Sequence, residues 1–503
     1  MISIQGIVLY SILLVLYYLV PKQWQKHLLL AADLLFAFSL GISTLVMLII
    51  LSLIVFFGVR GMADSTNKKS RVFVLVMAVV LALFGIKYLS FFAEEITVFL
   101  GHFGIVLSPE DGIKPVQAVG ISFYSLRLIG YTVDVYKGQK EERDILNFLL
   151  FTSFFPIFTA GPIEKSSRLM TEVSCYRAFD EQKVYRGFLM TLYGVFLKLV
   201  VADRLGVLVD EVYNDIDSYP GALCLIVIIL YSFQIYADFA GYSHIAIGLS
   251  GMLGIGIMEN FRRPYLAVSV RDFWRRWHIS LSEWLRDYIY IPLGGSRKGS
   301  VRKELNILIT FLISGLWHGT GLNFIVWGGL HGIYQVIEDM VRSKGSGAVR
   351  KEEQYADGRI ADDRTGKESK GSMYSAISHA GRILCTFILV TVAWVFFRAD
   401  SVSQALTMFG KIIEGPGFKS LANGEIFNLG LGPIQIFGLL AALVIIAVFE
   451  VMQEKQMITL DKITASPRLI RWTVSYIMIV WIVIAAVQLY GITEEAAFIY
   501  AAF

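Results

Sequence analysis

Long apolar runs return along most of this chain, and they restrict its fold more than any other feature. Segments 4–20, 27–40, 43–59, 72–89, 145–160, 184–201, 222–237, 383–397, 434–448 and 474–489 are dominated by Leu, Ile, Val, Phe and Ala. Many approach the ~20 residues a helix needs to cross a bilayer. Of the 503 residues, 55% are hydrophobic and 17% charged, with a mean hydropathy of +0.61. A soluble chain carries roughly a quarter charged residues. A membrane barrel would show short alternating segments instead. The expected fold is an all-α polytopic membrane protein with about 11–13 membrane segments.

Charge placement orients the spans. Lys22, Lys26, Arg60, Lys68, Lys69 and Arg71 lie in short connections and favour the cytoplasmic side. The N-terminus is then outside, as is a predicted loop with Glu94, Glu95, Glu110 and Asp111. The net charge of +4 reflects this topology rather than nucleic-acid binding. Cys175, Cys224 and Cys385 are far apart and form no CxxC, so neither a disulfide framework nor a zinc site is expected. Segment 4–20 has no basic flank before it and no small-x-small site after it, which suits a retained helix.

Four regions follow: N-terminal transmembrane helices (1–115), a core (116–341), a polar insert (342–371) and C-terminal transmembrane helices (372–503). The insert, RSKGSGAVRKEEQYADGRIADDRTGKESKG, has too little apolar content to bury a core. Within the core, Gly120, Arg127, Gly130 and Asp134 interrupt segment 116–135, so that helix should be kinked or packed inside protein. A Gly-rich stretch holding Asp238 and His244 should likewise line an internal feature.

Two of the seven histidines stand beside apolar sequence. His278 lies in residues 271–290, which as one helix carries Phe273, Trp277, Leu281, Trp284 and Tyr288 in a stripe. Arg271, Arg275, Arg276 and Arg286 flank the stripe, a pattern suited to the cytoplasmic headgroup boundary. On this pattern His278 reads first as an incidental residue of an interfacial helix, with a working side chain as the alternative. His318 closes segment 305–317, whose 13 residues are short for a span and suit a re-entrant or buried helix. Gly315, Gly319 and Gly321 around it permit close approach. An imidazole there suits a general base, or a core histidine bonded to a carbonyl. His278, His318 and His331 lack metal-ligand spacing, so no metal is expected. Asp238 reads as a polar partner inside the bundle. Arg297 and Lys298, after Gly294-Gly295, could meet an anionic ligand or lipid phosphates. Cys175 and Cys224 read as small buried hydrophobes.

The string NFRRPYLAVSVRDFWRRWHISLSEWLRDYIYIPLGGSRKG, followed by LWHGTGLNFIVWGGLHG, resembles the membrane-bound O-acyltransferase family. VGISFYSLRLIGYTVDVYKG, FFPIFTAGPIEK and YADFAGYSHIAIG extend the likeness over roughly residues 116–332. Within the family the chain resembles the bacterial branch that contains the membrane subunit of alginate O-acetylation and the D-alanyl transfer protein of teichoic acid synthesis, and PLGGSRKG leans toward acetyl transfer. The resemblance implies a bundle with re-entrant or buried helices and interfacial amphipathic helices. It implies His318 of the WHG motif as the catalytic residue and His278 as a second important one. His244 stands where this family leads one to expect Asp. The implied reaction moves an acetyl group from cytoplasmic acetyl-CoA to an extracytoplasmic polysaccharide, or to a secreted or anchored acyltransferase partner. The alternatives are D-alanyl transfer from an acyl carrier protein to a cell-envelope polymer, or a non-catalytic polysaccharide export component. Arg275, Arg276, Arg297 and Lys298 become candidates for holding the donor, and the plasma membrane the expected location.

Overall fold

A computed structural model describes residues 4–62, 64–101, 118–344, 372–415 and 417–489. These residues are mainly helical, and no strand occurs among them. Five helical segments are long and apolar enough to cross a membrane: Lys68–Tyr88, Gly221–Met252, Ser378–Arg398, Pro433–Glu454 and Arg468–Gln488. Ile4–Leu19, Ile42–Gly58 and Ile145–Ile157 are shorter apolar helical stretches. The chain is therefore an all-α, multi-pass membrane protein, as its apolar runs predict. Its contacts divide it into two units. One holds residues 1–206, 233–260 and 434–503; the other holds 207–232 and 261–433.

The first unit begins with α1 (Ile4–Leu19), α2 (Gln25–Ser39), α3 (Ile42–Gly58) and α4 (Lys68–Gly101). The last is longer than expected: it continues through Glu94 and Glu95, where a loop was predicted. Glu110 and Asp111 lie outside the described residues. The polar-spotted segment becomes α5 (Ile121–Tyr136), buried along nearly all its length. Arg127 there donates from Nη1 to the carbonyl of Phe151 at 3.0 Å. Next come α6 (Ile145–Ser153) and α7 (Ser166–Ser174). Asp33 on α2 accepts from the Phe155 amide at 2.9 Å, pinning the turn that ends α6.

Then α8 (Glu181–Phe196) runs through a π-helical turn, Leu197–Ala202, into α9 (Asp203–Asn214), and α10 spans Gly221–Met252. The Gly-rich stretch after residue 237 is thus a continuation of one 32-residue helix. Its glycines allow backbone contact: a Cβ on Gly194 would lie 2.5 Å from the Gly241 carbonyl oxygen, and one on Gly187 2.6 Å from that of Gly248. Glycines seven apart share a helix face, so both pairs form one seam. In the same unit, Lys198 on the π turn pairs with Asp238 at 2.7 Å and Asp203 at 2.9 Å, all well shielded from solvent. Asp238 is the internal polar partner its sequence suggested. Of the cysteines, Cys224 is buried but Cys175 is exposed, against expectation, because it sits in the loop after α7.

The second unit carries the motif histidines. It contains α11 (Val270–Arg276), α12 (Ile279–Leu285), α13 (Ser300–His318), α14 (Leu322–Lys344), α15 (Ser372–Arg398) and α16 (Val402–Glu414). Residues 345–371 of the polar insert lie outside the described residues. The closest packing joins α13 to α14. A Cβ on Gly315 would lie 2.3 Å from the Phe324 carbonyl oxygen, and one on Gly328 2.3 Å from that of Phe311. Only hydrogen-sized side chains let these helices meet backbone to backbone. Outside this seam, Asp339 on α14 takes ion pairs from Arg271, at 2.8 Å, and from Lys303.

Candidate active site

Residues 271–290 do not form one helix, and the break creates the first half of the site. Ser269 caps α11 by accepting from the Asp272 amide at 3.1 Å. The Asp272 carboxylate takes Arg276 Nε at 3.1 Å on the last turn. The helix then stops: Trp277 is extended, and His278 adopts φ 42°, ψ 54°. A left-handed backbone costs a non-glycine residue roughly 1–2 kcal/mol. Such strain persists only where the surroundings impose it, commonly at functional sites. Here Trp277, 1% exposed, is stacked on Phe273 and packed against Phe261 and Trp394. Burial of that indole holds the kink. The chain resumes as α12, where Ser282 N donates to the His278 carbonyl at 3.0 Å. A π turn, Arg286–Tyr290, follows.

This corrects the predicted aromatic stripe. Phe273, Trp277 and Leu281 of that stripe are core residues, as is Trp274, whereas Trp284 and Tyr288 are partly exposed. The pattern is the same in both settings, because amphipathic spacing cannot tell a bilayer surface from a protein interior. The kink turns His278 inward, leaving it 0% exposed. Burial holds its imidazole well below the ordinary histidine range, and the neighbouring His318 pushes in the same direction. His278 is therefore a neutral ring at physiological pH.

His318 is the last residue of α13 and is 1% exposed. Its Nδ1 lies 2.6 Å from the Ser314 carbonyl oxygen. A carbonyl can only accept, so Nδ1 carries the proton of the neutral ring, and Nε2 carries the lone pair. The ring sits in an aromatic box. Trp317 and Trp327 lie edge-on at 4.8 Å and Phe397 at 5.5 Å. Trp317 also contacts the His278 ring at 6.5 Å. Two histidines 40 positions apart in sequence are thus brought to one indole.

Their neighbour His331, on the next helix, is 0% exposed. Its Nδ1 accepts from the Trp274 indole at 3.2 Å, and its ring lies 5.2 Å from Trp327. Sequence reasoning weighed His331 only as a metal ligand. The i, i+4 spacing of Trp327 and His331 was the available signal. The candidate donor-holding residues lie elsewhere. Arg275, Arg297 and Lys298 are exposed, and Arg276 is partly buried and engaged by Asp272. Among the described residues no group of three metal-ligating side chains occurs.

This geometry can be set beside known proteins. The profile of MBOAT, the membrane-bound O-acyltransferase family, matches residues 122–344, a range that includes all three histidines. The Azotobacter vinelandii protein named "Probable alginate O-acetylase AlgI" is 33% identical over 448 residues, covering 87% of this chain and 82% of the relative. The chain belongs to the membrane-bound O-acyltransferase family. It is an O-acyltransferase, and the box around His318 is its candidate active site. More distant family members include the Helicobacter pylori "Peptidoglycan O-acetyltransferase", 31% identical over 371 residues, 65% of this chain and 61% of that one. The Streptococcus thermophilus "Teichoic acid D-alanyltransferase" is 31% identical over 252 residues, 47% of this chain and 61% of the relative.

Proposed function

We propose that this membrane O-acyltransferase moves an acetyl group from cytoplasmic acetyl-CoA to a hydroxyl of an extracytoplasmic polysaccharide, or to a partner protein that passes it on. The observation that carries the reading is the tautomer of His318. With Nδ1–H donated to the Ser314 carbonyl, the lone pair of the neutral ring is on Nε2, in a ring packed against Trp317, Trp327 and Phe397. That is the state a general base needs.

In the reaction, the acceptor hydroxyl oxygen attacks the thioester carbonyl carbon while its proton moves to Nε2 of His318. The carbonyl π electrons move onto oxygen. As the tetrahedral intermediate collapses, the carbon–sulfur bond breaks and the CoA thiolate leaves, taking the proton from His318. His278, neutral and beside His318, orients the donor or relays that proton. Exposed Arg275, Arg297 and Lys298, with Arg276, suit contact with the anionic CoA outside the box. The names of the relatives point to cell-envelope polymers as acceptors, and so to the plasma membrane as the location.

The test supplies the purified protein with acetyl-CoA and, separately, with a D-alanyl carrier-protein thioester, and follows acyl transfer by mass spectrometry. Transfer from acetyl-CoA is expected. Transfer from the carrier alone would replace acetyl by D-alanyl in this reading. Wild-type turnover in folded His318→Ala would remove His318 from the mechanism.

A further inference from the structure

The ring cluster that meets His318 through Trp327 carries three buried hydrogen-bond donors without a partner among the described residues. His331 Nε2, Trp327 Nε1 and Trp394 Nε1 are buried and meet no hydrogen-bond partner among the described residues. The three rings touch one another: Trp327 and Trp394 stack at 5.8 Å, His331 lies 5.2 Å from Trp327 and 6.1 Å from Trp394. Trp327 also packs against His318. Native proteins pair nearly all buried polar groups, and a shared exception asks for an explanation such as an absent ligand. Donors clustered in this way suit an acceptor oxygen.

His331 is the most informative of the three, because its protonation is determined. The Trp274 indole can only donate, and it donates to Nδ1. The proton of neutral His331 therefore resides on Nε2. His318 is held in the opposite tautomer by the Ser314 carbonyl. One aromatic cluster thus contains a histidine that accepts through Nε2 and another that donates through Nε2. Fixing opposite roles on chemically identical groups by their surroundings is how acid–base sites divide labour.

We propose that His331 is a third histidine of the active site, donating from Nε2 to the acyl carbonyl oxygen as it becomes an oxyanion. Trp327 and Trp394 supply the neighbouring N–H groups. The inference rests on the acyl-transfer reading above. No proton is transferred by His331: it holds negative charge formed when the acceptor hydroxyl adds to the carbonyl carbon, and releases it when the carbon–sulfur bond breaks. Trp274 is a positioning residue, since it holds His331 in the donating tautomer.

The experiment first determines which thioester the purified full-length wild type uses, acetyl-CoA or a D-alanyl carrier. All variants are then assayed with that donor, so an error in donor identity is separate from an error about His331. His331→Phe should lose roughly 10²–10³-fold in kcat, with KM little changed, because an oxyanion donor acts in the transition state. His331→Gln keeps an N–H and should recover part of that loss. Trp274→Phe keeps an aromatic ring but removes the donor to Nδ1 of His331; its kcat should fall less and its pH profile should differ from that of the wild type. Unchanged kcat in folded His331→Phe would overturn the proposal. So would equal losses in His331→Phe and His331→Gln that merely follow a drop in melting temperature, with the Trp274→Phe pH profile unaltered.

Discussion

Two buried polar clusters in this molecule handle ionisable groups in opposite ways. In the first unit, Lys198 stands between Asp238 and Asp203 at 2.7 and 2.9 Å. In the second, His278, His318 and His331 occupy an aromatic cluster, and the two interactions that set tautomers go to a neutral carbonyl and a neutral indole. The ion triad meets charge with charge. A buried ion pair broken on one side is strongly destabilising, so such a cluster holds helices in place. In the histidine cluster these contacts go to uncharged groups and specify which nitrogen of neutral His318 and of neutral His331 bears the proton. That arrangement leaves proton transfer available to a substrate. The difference teaches that burial alone does not mark a site: what matters is whether the buried groups neutralise each other or keep their chemistry in reserve.

Substitutions that separate activity from stability sharpen this contrast. The largest effect should come from His318→Ala. Loss of the proposed general base should cost ~10²–10⁴-fold in turnover, with the melting temperature nearly unchanged. Next is Lys198→Met, which leaves two buried carboxylates uncompensated. Destabilisation of about 3–5 kcal/mol is expected, seen as poor yield and a lowered melting temperature, while the protein that does fold keeps its specific activity. If Lys198→Met folded normally but lost turnover, the triad would belong to the chemistry and the contrast would collapse.

A smaller effect follows from His278. Its folded pKa is depressed by burial and then by His318. The unfolded chain takes up a proton near pH 6.5 that the folded ring refuses, so this contribution is complete above that pH and fades as pH falls below it. The slope is at most about 1.4 kcal/mol per pH unit for one group. Melting curves at pH 7.5, 6 and 5 should therefore converge between wild type and His278→Asn in their pH dependence only if His278 does not titrate this way. A shallower slope in the variant is the expected result. The smallest effect belongs to the exposed cations. Replacing Arg297 and Lys298 by Gln should raise KM for the proposed donor, acetyl-CoA, several-fold, in a salt-sensitive manner, and leave kcat alone, since solvent screens exposed charges.

Particular residues show where sequence reasoning reached and where it stopped. The WHG motif marked His318, and periodicity marked Phe273, Trp277 and Leu281 as one apolar face. That face was assigned to a headgroup boundary, whereas Trp277 is buried against Phe261, Phe273 and Trp394. The error has a physical origin: Trp and Arg side by side satisfy an interface, but they satisfy equally a helix whose indoles go inward and whose arginines find acids, as Arg276 does with Asp272. The kink at His278 had no signal, because no Gly or Pro announces it. Its left-handed backbone is imposed by packing on either side.

Apolar content and run length alone determined that this chain is a helical, multi-pass membrane protein, because water and lipid sort side chains by a property every residue carries locally. The motif strings alone pointed to acyl transfer and to two of the histidines. Which nitrogen of His318 holds the proton, that His278 turns inward, and that His331 joins them were decided only by tertiary structure. Each depends on a partner supplied by packing: the Ser314 carbonyl at the end of a helix, an indole closing a kink, and the N–H of Trp274 reaching across from another helix.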